Sequence, residues 1–105
     1  DPQYVEAARV LAERMMKEAG PDPLERMSYA FQLATARKPA GEECTVLVDT
    51  FGQQLKAYRE KPDAALELLS VGEAKRDETL DAAELAAYTT IASMILNLDE
   101  TVSKG

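Results

Sequence analysis

Apolar residues recur along this chain at spacings of three and four, and polar or breaker residues divide the recurrence into five segments. Val5, Ala8, Leu11, Ala12, Met15 and Ala19 share one face, which predicts a first helix from about Pro2 to Ala19. Glu6, Arg9, Glu13, Arg14 and Lys17 fill its polar side. Asp1 is placed to cap it, Pro2 suits the first helical position, and Gly20-Pro21 stops it. Asp22-Pro23 repeats that start. Leu24, Met27, Phe31 and Ala34 then form a second stripe, widened by Ala30 and Leu33 and running on to Arg37 and Lys38.

Pro39 and Gly41 break the chain. A third helix is predicted over about Glu42 to Glu60, with Cys44, Leu47, Val48, Phe51, Leu55 and Tyr58 on its apolar seam and Gly52 inside it. Lys61-Pro62 ends it, and a short fourth helix carrying Leu66, Leu68 and Leu69 closes at Gly72. Glu73 to Thr79 has mixed charge and no periodicity, so it reads as an exposed loop. Asp81 and Glu84 have the spacing of a capping box, with Leu80 and Leu85 as a hydrophobic staple. The fifth helix, to about Asn97 or Asp99, is the most apolar and is expected at the centre, with Thr101 to Gly105 frayed beyond it. The pattern predicts one all-α domain over 1–105, a bundle of four main helices and one short helix without internal repeats.

Composition narrows the chemistry. The formal net charge of −7 makes nucleic acid and anionic membrane surfaces poor partners. The chain has no histidine, so the commonest general base and metal ligand are missing. Its one cysteine, Cys44, can form neither an internal disulfide nor a haem-attachment motif, and its place on the apolar seam predicts a buried, inert thiol. No apolar run reaches the ~20 residues of a membrane span, and no signal peptide opens the sequence. The start at Asp1 without Met reads as a piece cut from a longer protein.

Two groups of carboxylates are the candidate polar site: Asp77 and Glu78 in the loop before the fifth helix, with Asp81 close by, and Asp99 and Glu100 at that helix's end. Paired carboxylates can perform acid–base chemistry or hold Ca²⁺, but the loop lacks the spacing and the glycine of a calcium loop. Asp99 and Glu100 oppose the helix dipole, which suggests a basic neighbour such as Arg37 or Lys38. The four tyrosines read as core-edge residues and the four methionines as core filler. No catalytic residue, cofactor site or metal site is assigned.

Three stretches carry a resemblance: Asp1-Pro2-Gln3-Tyr4-Val5-Glu6-Ala7-Ala8-Arg9, the run from Arg26 to Pro39, and the closing Leu96-Asn97-Leu98-Asp99-Glu100. In order and spacing they resemble the C-terminal domain of a family of large proteins from planctomycete bacteria, over almost the whole chain. Ala40 and Gly41 stand where that family often has a Ser/Thr cap. The resemblance implies a domain of unknown function closing an exported, periplasmic or cell-surface protein, often with a cytochrome-c-like domain. Any haem would then belong to that other domain, and the preceding domains of the same polypeptide become the expected partners. The leading expectation is a non-catalytic accessory or interaction domain. Two alternatives stay open: loop carboxylates contributed to an active site shared with a preceding domain, and a small-ligand or glycan-binding module.

Overall fold

The computed structural model describes the backbone of residues 2–104 and the side chains of residues 2–98. Five helices follow one another: α1 (Pro2–Glu18), α2 (Pro23–Thr35), α3 (Gly41–Glu60), α4 (Pro62–Leu69) and α5 (Ala82–Lys104). The all-α bundle read from the sequence is what the chain forms. At ~1.5 Å per residue, the 23 residues of α5 make a helix of about 35 Å, close to the molecule's longest dimension of 36 Å. The radius of gyration is 12.9 Å, the value expected for a well-packed chain of this length, about 13 Å.

The centre is α5, which packs against each of the other four helices. Leu85, Ala86, Ala87 and Tyr88 are all fully buried, so this turn is covered on every side. The two alanines let neighbouring helices approach closely, and Ile91, Ala92 and Ile95 continue the buried face. Around them stand Ala8, Ala12 and Met15 from α1, Met27, Ala30 and Phe31 from α2, Leu47 and Phe51 from α3, and Ala65 and Leu69 from α4. Phe51 stacks on Tyr88 with ring centroids 4.2 Å apart. Tyr88 is therefore a core residue rather than an edge one.

The helix ends show which local signals acted. Gly20 takes a left-handed φ of 79° after α1. Asp22 has extended backbone before α2, but its side chain makes no cap hydrogen bond. That helix stops at Thr35, short of Arg37 and Lys38, because Ala36 turns left-handed at φ 61° and its N–H returns to the Gln32 carbonyl at 2.9 Å. Ala40 has no side-chain acceptor, so only half of a capping box forms at α3: the Ala40 N–H donates to Glu43 Oε1 at 2.8 Å. Asp81 does act as a cap, accepting the Glu84 N–H at 2.9 Å. Helix α5 runs on to Lys104, past the end that Asn97 and Asp99 suggested. The Asp1 cap and the side chains from Asp99 onward lie outside the described residues.

Candidate functional site

Part of the polar side of α1, centred on Arg9, is covered, and this is the largest departure from the sequence reading. Glu6, Arg9, Glu13 and Lys17 fall on one stripe of the helix, and residues 72–79 fold down along it. Arg9 is 1% exposed. Its Nη1 donates to Glu13 Oε2 at 2.7 Å and its Nη2 to the Ala74 carbonyl at 2.9 Å, with Glu6 Oε2 3.9 Å from Nη2. The glutamates bind the loop in turn: Glu6 Oε2 accepts the Ala74 N–H at 2.6 Å and Glu13 Oε2 accepts the Asp77 N–H at 2.9 Å. Lys17 completes the row by pairing with Asp77. A loop with almost no large apolar side chain thus satisfies its backbone on a charged helix face instead of in water.

Gly72 makes this approach possible. Its φ is +96°, and a Cβ there would lie 2.8 Å from Glu6 Cδ and 2.9 Å from Glu6 Cβ. A signal for the arrangement was present in the sequence: a Glu/Arg/Glu/Lys row at helical spacing, and a non-periodic polar segment opened by glycine. The rule that charged helix faces are solvated concealed it.

The structure does not gather the four candidate carboxylates into a described site. Asp77 is structural: Lys17, then the Thr79 hydroxyl and N–H, hold its carboxyl well below the usual carboxylate range. The Glu78 side chain is 84% exposed and reaches only Arg76, at 4.0 Å. The side chains of Asp99 and Glu100 lie outside the described residues. Arg37, suggested as their neighbour, is engaged elsewhere: Nη1 and Nη2 donate to Glu43 Oε1 and Oε2, both at 2.9 Å, and the guanidinium lies 4.7 Å from the Phe31 ring centroid. Those bonds, then the one from Ala40 N–H, bring the Glu43 carboxyl down to about 2. Among the described residues no three acidic or thiol groups converge as a metal site. No helix among them is long and apolar enough to cross a membrane.

Cys44 is half-buried, not fully enclosed as its seam position suggested. Tyr4 donates to the Ser93 carbonyl at 2.8 Å and ties the start of α1 to α5. Met15 and Met27 fill the core. Met94 instead helps line an opening.

That opening is an apolar groove. A groove of about 440 Å³ runs between α2, the first turns of α3 and the later part of α5. Phe31, Val46, Leu47, Met94 and Leu98 form its apolar lining, with Glu42, Glu43 and Asn97 around it. Leu47 and Phe31 belong to the core, so the groove floor is continuous with the interior. Val46 is 55% exposed and Leu98 40%. The volume falls within the range of binding clefts, about 300–1,000 Å³. The sequence reading placed Val46 on no seam. Comparison of the chain with known protein families, with curated proteins and with solved structures gives no match.

Proposed function

We propose that this chain is a non-catalytic accessory module of a larger exported polypeptide, and that it docks another domain of that polypeptide through the groove between α2, α3 and α5. The observation that carries the reading is the groove itself, an apolar opening whose floor is the core and whose walls include the exposed Val46 and Leu98. Apolar side chains that line an opening to water give a partner's apolar face somewhere to be buried. The loop carboxylates support the non-catalytic half of the proposal, since Asp77 is committed to Lys17 and Thr79 and Glu78 stands apart in solvent. The exported setting rests on the planctomycete resemblance.

The test is calorimetric titration of the domain with the remainder of its polypeptide supplied in trans. Saturable binding with a negative heat-capacity change, lost in Val46→Glu, is the expected result. Because Val46 is exposed, that variant should keep its helicity. Absence of binding, or binding that Val46→Glu leaves intact, would refute docking through this groove.

A further inference from the structure

Resting on that docking reading, we infer that the groove takes a basic amphipathic helix, one whose apolar face is flanked by Lys or Arg residues a heptad apart. Val46 sits within an acidic frame. Glu42 precedes it by four residues and Asp49 follows by three, so the three side chains fall on one stripe of α3. Glu42 and Asp49 are both exposed, and neither forms an ion pair among the described residues. Arg37, which holds Glu43 at the groove, is already neutralised, with two guanidinium nitrogens on the two carboxylate oxygens. Of the charged residues that line the opening, Glu43 is paired and Glu42 is not, so the uncompensated charge in the described lining is negative. The α3 N-terminus favours Glu42 locally, but Asp49, two turns further on, has no such support.

The spacing then selects the partner. Glu42 and Asp49 lie about 10 Å apart along the helix axis at ~1.5 Å per residue. A partner helix lying along α3 presents basic residues at i and i+7 to both acids while its apolar side enters between α3 and α5. The described chain has no strand to offer a sheet edge, and Phe31 is the one aromatic in a lining otherwise made of Val46, Leu47, Met94 and Leu98, which fits the apolar face of a helix better than a polyproline segment.

The probes are two synthetic peptides with an identical leucine face, one flanked by lysines and one by glutamates, titrated into isotopically labelled domain and followed by amide shifts. The lysine peptide should shift residues 41–49 and 94–98, bind more weakly as ionic strength rises, and lose roughly tenfold affinity against Glu42→Lys/Asp49→Lys. Both substituted positions are exposed, and circular dichroism would verify the fold. Equal binding of both peptides in the groove, or indifference to the double variant, would overturn the basic-helix inference and leave docking standing. If neither peptide shifts the groove while the rest of the polypeptide still binds there, the inference falls alone; if that fails as well, both fall.

Discussion

Replacing Arg9 with Met keeps much of the side-chain length and removes the charge that joins α1 to the loop. Two charge-assisted hydrogen bonds disappear, to Glu13 and to the Ala74 carbonyl. Each such bond contributes about 1.5–3 kcal/mol. Against that, the variant no longer desolvates a guanidinium. The orphaned acids also recover some hydration, since Glu6 is 24% and Glu13 15% exposed. The net cost should therefore fall below the 3–5 kcal/mol of a fully buried broken pair, at about 2–3 kcal/mol. For a domain of this size that is a fall of roughly 10–20 °C in the unfolding midpoint. Urea titration followed by circular dichroism measures the stability, and hydrogen exchange locates the change. The Ala74 and Asp77 amides, held by Glu6 and Glu13, should exchange well ahead of the α5 core in Arg9→Met. Arg14→Met, which breaks an exposed pair with Glu18, is the control and should stay close to the parent. A loss below about 0.5 kcal/mol for Arg9→Met, the range of ordinary surface substitutions, would refute the view that the loop is held through this side chain.

Gly72→Ala should destabilise by about 2 kcal/mol, combining a left-handed φ with a Cβ driven against Glu6, and a midpoint equal to the parent's would contradict it. Gly52→Ala should act in the opposite direction: nothing lies within 4 Å of the added Cβ on an α3 helical turn, so a gain of about 0.5–1 kcal/mol is expected in the same titration. The carboxyl of Glu43 is lowered in the folded state from 4.5 to about 2, so its contribution is present above pH 4.5 and lost as pH falls towards 2. Glu43→Gln should accordingly flatten the acid limb of stability against pH, with Asp77, lowered in the same direction, accounting for part of the remaining slope.

Helix positions were legible because apolar period, proline and glycine all act locally. Pro23 and Pro62 open their helices and Asp81 caps α5 as read. The apolar density of α5 announced its central place, and the fully buried turn from Leu85 to Tyr88 is its result. What local reading could not supply was which element covers which face. Arg9 and Arg14 look alike on a helical projection, yet one is 1% exposed and the other reaches only Glu18 and Tyr29 at the surface. The difference comes from a loop more than sixty residues away, whose backbone needs acceptors and donors. Val48 misled in the opposite sense. It shares the seam pattern of Leu47 and Phe51 but stays 38% exposed. Ala36 gave no warning at all, since alanine is a poor choice for the left-handed turn it makes.

The two features that sequence reasoning missed have one thing in common. The chain encloses a charge that could have stayed in water, and it leaves in water apolar side chains that could have been enclosed. Hydrophobic burial stabilises by about 25 cal/mol per Å² of apolar surface, so a half-exposed Val46 and Leu98 beside open core residues represent stabilisation not taken. Isolated exposed apolar residues are ordinary. Two that border one opening, over a floor made of Phe31 and Leu47, are not isolated. The short polar loop fastens to α1 through hydrogen bonds and ion pairs without drawing on the apolar surface of α3 and α5. That division of labour is what docking requires. Polar contacts join the loop to α1, and the groove between α2, α3 and α5 stays open to solvent, as the proposed docking role needs.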